Sequence, residues 1–135
     1  IKWALEYRML PQAYTMGQEY IVSLMTEKLK NHSPYISDDA KKNAKEFRRF
    51  VASLLGIKDN DVRTENFKDP LSNHIELAKQ LLENDVVKKT RPSYQILTRN
   101  RIEIDHATGN VPYKKLLANF SEHYPNCISI IKQAY

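Results

Sequence analysis

The chain has 135 residues, enough for one domain with a single core of useful size. Its 41% hydrophobic and 27% charged residues are those of a globular chain, and only three glycines and six prolines argue against a sandwich of short strands. No apolar run approaches the roughly 18 residues needed to cross a bilayer. The net charge of +5 suits a polyanion, an anionic membrane surface or an acidic protein. The chain opens at Ile1 without a methionine and shows no signal peptide. The expected organisation is therefore one helix-rich domain over residues 1–135, as a piece of a longer protein.

The first segment, "IKWALEYRMLPQAY", holds Trp3, Leu5, Tyr7 and Leu10 without a sustained period before Pro11, and reads as a short helix or an extended arm. Thr15 and Gln18 stand at a capping-box spacing. Ile21, Leu24, Met25 and Leu29 then form an apolar stripe to about Lys30, and "NHSPYIS" breaks it at Pro34.

Ser37 reads as the N-cap of the next helix, with Asp38 and Asp39 against the positive end of its dipole. Ala40, Ala44, Phe47, Val51, Leu54 and Leu55 supply the apolar period, and Gly56 a left-handed stop. A polar connection leads to Asp69 and Pro70, read as N-cap and first helical position. Leu71, Ile75, Ala78, Leu81 and Leu82 carry that third helix to about Asn84.

After Val87 the pattern changes. "SYQILT" and "RIEID" are short, partly alternating and rich in β-branched or aromatic residues, with Ile102 and Ile104 on one face. "HATGN" offers a Gly-Asn turn and Val111 a return strand, which together predict a small hairpin. Alternatively, Pro112 opens a helix that buries Leu116, Leu117 and Phe120. The tail "CISIIKQAY" is too short to assign. The expected fold class is α+β, predominantly helical: at least three amphipathic helices packed together, with a small antiparallel β-hairpin in the C-terminal half.

Two basic clusters are the main functional signal. On a helix, Lys41, Lys42, Lys45, Arg48 and Arg49 fall within an arc of roughly 120°, apart from the apolar set. Lys88, Lys89, Arg91, Arg99 and Arg101 form a second cluster with no acid between Asp85 and Glu103, and Tyr94 sits inside it. Lysine and arginine provide the footprint for phosphates, and a ring among them can stack on a base. A solvated helix face is the plainer account of the first cluster alone.

The signals for chemistry are sparser. Cys127 is the one cysteine, which excludes an internal disulfide or a multi-thiolate zinc site and fits a reducing intracellular compartment. His32, His74, His106 and His123 show no metal-binding pair at helical spacing, so no metal and no cofactor are expected. Asp105-His106 followed by Asn119 and His123 is similar to the histidine-asparagine-histidine nucleases, with compressed spacing and without their cysteines. The stretch around Gly109 resembles a calcium-binding helix-loop-helix, but its later positions are Pro112, Tyr113 and Lys114 rather than acids. A plain hairpin accounts for the same residues.

A third likeness covers more of the chain. "KLKNHSPYISDDAKKN" resembles the start of the colicin D type of tRNA-cleaving toxin domain, with Lys28, Lys30 and His32 followed by Ile36, Ser37, Asp38, Lys41, Lys42 and Asn43. Phe47 and Arg48, then the hairpin through Gly109, match the rest of that pattern. The resemblance implies metal-independent cleavage, in which His32 takes the ribose 2′-hydroxyl proton while Lys28 and Lys30 stabilise phosphate charge. This chain departs from it by an inserted helix at about residues 70 to 84 and by extra helix at its end.

The leading expectation is a nucleic-acid-binding domain, RNA before DNA, with ribonuclease activity as an extension. The alternative is a non-catalytic protein–protein interaction module, its basic faces solvated or meeting an acidic partner. Exposed Trp3, Tyr7 and Tyr14 would favour that second reading.

Overall fold

In a computed structural model, residues 10–32, 43–106 and 112–134 are described, and every regular element among them is helical. These elements are α1 (Leu10–His32), α2 (Ala44–Gly56), α3 (Asp59–Arg63), a 3-10 turn (Leu71–His74), α4 (Ile75–Leu82), α5 (Asp85–His106) and α6 (Tyr113–Ala134). Helices α1 and α5 pack on each other, and each also packs on α2 and on α6. The 3-10 turn and α4 close over α2, and α4 also touches α5. The core runs between these helices, from Tyr14, Ile21 and Met25 of α1 through Leu54 and Leu55 to Leu97 and Phe120.

Helices α2 and α5 each start at an asparagine whose side chain accepts free N–H groups, and helix starts do not always fall where the sequence suggests. Pro11 falls in the first turn of α1, where its missing N–H costs no hydrogen bond, so Thr15 lies inside the helix rather than capping it. The cap of α2 is Asn43, whose Oδ1 accepts the Glu46 N–H at 3.3 Å, rather than Ser37, which lies outside the described residues. Gly56 ends α2 as its last helical residue, and the chain leaves through extended Ile57 instead of a left-handed glycine. Asp69 and Pro70 lead into the 3-10 turn before α4 begins at Ile75.

The expected β-hairpin is overturned. "SYQILT" and "RIEID" both lie within α5, and "CISIIKQAY" up to Ala134 belongs to α6, which begins as the Pro112 alternative describes. The proposed turn at Gly109 lies outside the described residues. Asn84 starts α5, its Oδ1 accepting the N–H groups of Val86 and Val87 at 2.9 and 3.2 Å. Val86, Val87, Thr90, Tyr94 and Leu97 then face the core at helical spacing.

Two features hid this period. Arg91, Ser93 and Asn100 are polar yet buried on the same inward side, while Ile102 points to solvent. Pro92 also reads as a breaker, but it occupies the exposed side of α5, where the carbonyl it leaves unpaired can reach water. Pro125 is tolerated on the exposed side of α6 in the same way.

Polar side chains tie the long helices together. The Tyr14 hydroxyl donates to the Leu116 carbonyl of α6 at 2.6 Å, and burial pushes this phenol up to about 12. Gln18 of α1 donates to Thr98 Oγ1 at 2.6 Å and accepts from Arg101 at 3.1 Å, joining α1 to α5. These paired groups fix one rotation of α1 against its neighbours, because a slip would bury them without partners.

Candidate functional site

The first basic cluster is dispersed. Lys41 and Lys42 lie outside the described residues, and Lys45, Arg48 and Arg49 sit on exposed positions of α2. Arg48 turns toward α1, donating to Ser23 Oγ at 3.2 Å and to the Glu19 carbonyl at 3.2 Å. Arg49 turns the other way and meets Asp69 at 2.6 Å, with Glu46 at 3.7 Å. That hydrogen bond and charge raise the Arg49 guanidinium, while the same bond holds the Asp69 carboxyl below the usual carboxylate range. Of the described part of this cluster, Arg49 is the cation drawn into ion pairs with acids, while the printed partners of Arg48 are neutral oxygens.

The second cluster divides into structural and solvent-facing residues. Tyr94 is 8% exposed and packs in the core, so its ring does not offer a face for base stacking. Arg101 is half-buried and donates to Gln18. Lys88 reaches Glu83 at 2.8 Å, and that hydrogen bond raises its ammonium. Lys89 and Arg99 are exposed. At about 100° per residue, Lys88, Lys89 and Arg99 leave the solvent side of α5, opposite Thr90 and Leu97. Over these 11 positions the stripe is about 16 Å long at 1.5 Å per residue.

Beside that stripe runs a groove of about 300 Å³, lined by Lys88, Arg91, Gln95 and Arg99 of α5 and by Asp59 of α3. Arg91 forms its inner wall. This side chain donates through Nη2 to the Ile57 carbonyl at 2.5 Å and to Asp59 Oδ1 at 3.2 Å, so it clamps the end of α2 to α5. Gln95 supports the same turn by donating to Ile57 at 2.8 Å. A larger hollow of about 570 Å³ lies beside Lys79, Gln80 and Glu83. Its charges are matched within the chain, Lys79 by Glu65 at 3.2 Å and Glu83 by Lys88. The groove on α5 is therefore the more cationic of the two.

Of the residues expected to cleave RNA, Lys28 and Lys30 do not line this groove. Lys28 and Lys30 occupy the last turns of α1 at partly exposed positions, and two residues on one helix diverge by about 200°. His32 closes α1, and its side chain lies outside the described residues. Those of Asp105 and His106 also lie outside them, while Asn119 and His123 fall on α6.

No protein-family model, curated protein or solved structure matches this chain.

One polar constellation had no legible sequence signal. Ser93 Oγ lies 3.0 Å from His123 Nδ1, accepts from Asn126 Nδ2 at 2.9 Å, and His123 Nε2 lies 3.7 Å from Glu122. Hydroxyl, imidazole and carboxylate are the groups that activate a nucleophile. Here, however, Ser93 is buried between α5 and α6, and its hydroxyl meets His123 and Asn126 of α6. The constellation joins two helices. Spacings of 30 and 33 residues link its members, and only the α5–α6 packing brings them together.

Cys127 lies beside it, fully buried, with its thiol 3.8 Å from the Thr90 carbonyl. Burial pushes this thiol up to about 12. A disulfide reagent at pH 8 is therefore expected to leave Cys127 unmodified in the native protein and to label it once denaturant is added. Stoichiometric labelling of the folded chain within minutes would contradict this burial.

Proposed function

We propose that this chain is a nucleic-acid-binding module that holds the phosphate backbone along the solvent side of α5. The observation that carries the reading is the cationic groove, in which Lys88, Arg91 and Arg99 line one surface with Asp59 as the acid among them. Exposed Lys89 extends the same side of the helix. Arginine and lysine spaced along a helix can neutralise successive phosphates, and the release of bound counterions then drives association. An exposed Tyr94 ring would have offered a face for stacking on a base. With that ring in the core, the proposal is for backbone contact with either polymer. Binding, not cleavage, is what this face supports.

Charge reversal tests it. A fluorescent single-stranded oligonucleotide is expected to bind at low salt and to dissociate steeply as salt rises. Lys89→Glu and Arg99→Glu are each expected to weaken binding about tenfold and to reduce the slope of log affinity against log salt by about 0.7 to 0.9 per lost phosphate contact. Absence of binding at 20 mM salt by a folded protein would end the proposal.

A second reading keeps the same face and changes the partner. Ile102 is 49% exposed and follows Arg99 by three residues on α5, an apolar neighbour that suits an acidic amphipathic segment of another protein. Tyr14, one of the aromatic residues that would have favoured an interaction module, is buried, and Trp3 and Tyr7 lie outside the described residues. Loss of the nucleic-acid reading at low salt would leave this one.

A further inference from the structure

We infer that Asp59 is a resident competitor for phosphate: in the free protein its carboxylate occupies a seat against Arg91, in the groove that Lys88 also lines, that a backbone phosphate takes on binding. The inference rests on the nucleic-acid reading above and names how its groove is occupied before the partner arrives.

Arg91 is the unusual member of the groove. It is only 8% exposed, and a guanidinium this deep needs its charge and its N–H groups matched. Its partners match it incompletely. One is the neutral Ile57 carbonyl, and the other is a single oxygen of Asp59 at 3.2 Å, while the buried Nε N–H finds no acceptor. A guanidinium fork favours a bidentate anion, which Asp59 does not provide from this position.

Asp59 is held loosely. Its side chain is 77% exposed, and among the described residues Arg91 is the charged group drawn against it. A carboxylate at the surface with one long contact is released at little cost. Lys88 stands one turn before Arg91 and lines the same groove, its ammonium resting on exposed Glu83. A phosphate brings more acceptor oxygens than a carboxylate and can engage Arg91 and Lys88 together. Arg99, eight residues and about 12 Å further along α5, is then placed for a neighbouring phosphate. Until exchange occurs, Asp59 cancels part of the charge that would attract the strand.

The test compares the whole chain with Asp59→Asn and with Asp61→Asn, which changes net charge equally two residues away. Binding of the same single-stranded oligonucleotide is measured across a salt series. Asp59→Asn is expected to tighten binding about fivefold or more beyond Asp61→Asn, and to steepen the salt slope by up to about 0.7, because Arg91 no longer starts neutralised. Arg91→Lys combined with Asp59→Asn is expected to lose that gain, since lysine keeps charge without the fork.

If the wild type binds and the two asparagine variants gain equally, the competitor is refuted while the binding reading stands. If none of the folded proteins binds, the binding reading itself fails. A gain by Asp59→Asn for inorganic phosphate without a gain for the oligonucleotide would also overturn the inference, because the seat would then serve a free phosphate.

Discussion

Phe120→Ala is expected to destabilise the fold by about 3–5 kcal/mol, the range for losing a buried aromatic ring. Phe120 lies fully inside the α1–α6 contact. Its ring meets Tyr14 edge-on at 5.1 Å between centroids and stacks on Tyr124 at 5.1 Å. Truncation removes the transfer free energy of the ring and leaves a cavity that three residues on two helices cannot close together. Domains of this size are stable by about 5–15 kcal/mol, so the variant is expected to sit near its unfolding threshold. Urea unfolding followed by circular dichroism measures the change as a lower midpoint at constant slope. A loss below about 1 kcal/mol would mean that α6 does not depend on this ring for its position.

Gly17→Val is expected to be the second large effect, at about 2–3 kcal/mol of destabilisation. Glycine within a helix is usually a weakness, and alanine there gains about 1 kcal/mol of helix propensity. At this position the gain is opposed. A Cβ on residue 17 would lie 3.0 Å from Phe120 Cε2 and 3.1 Å from Tyr124 Cδ2. Phe120 is confined, because Tyr14 meets its ring edge-on and Tyr124 stacks on its face. Alanine is thus expected near neutrality, with clash and propensity offsetting each other, and valine clearly below the wild type. Phe120→Leu should relieve part of the Gly17→Val loss, and a double-mutant cycle would read that coupling directly. Strict additivity of the two changes would show that the ring is not what glycine accommodates.

These two positions also mark how far the sequence reached. The apolar stripe of Ile21, Met25 and Leu29 was legible and lies in the core, as do Phe47, Val51, Leu54 and Leu55. In α2 these residues follow the helical period with no buried polar side chain among them, and in α1 the period stays readable beside buried Gln18 and Thr26. Helix α5 follows the same period, but its inward side mixes Val87 and Leu97 with Arg91, Ser93 and Asn100. A pattern based on hydrophobicity cannot recognise a polar residue as interior when its partner lies on another helix. Ser93 needs His123 and Asn126, and Arg91 needs Ile57 and Asp59. Alternation across Ile102 and Ile104 then suggested strands where exposed Ile102 was merely on the outside of a helix.

The candidate site was legible as composition and illegible as geometry. The run from Lys88 to Arg101 lacks acids, and that does place cations along one element. Which of them face solvent depended on how α5 rolls against α2 and α1. That roll buried Tyr94, committed Arg101 to Gln18, and left Lys89 and Arg99 outside. It also brought in Asp59, which lies 32 residues from Arg91 and which the acid-free run could not reveal.

By itself, the sequence determined a basic, helix-rich chain, because net charge and the 3.6-residue apolar period are local properties that survive without knowledge of the fold. Tertiary structure alone decided that the C-terminal half is two long helices rather than a hairpin. It also decided that the second basic cluster is partly a core clamp and partly a surface. The physical reason is common to both: a buried polar side chain is stable only beside its partner, and that partner is supplied by packing rather than by neighbours in the chain.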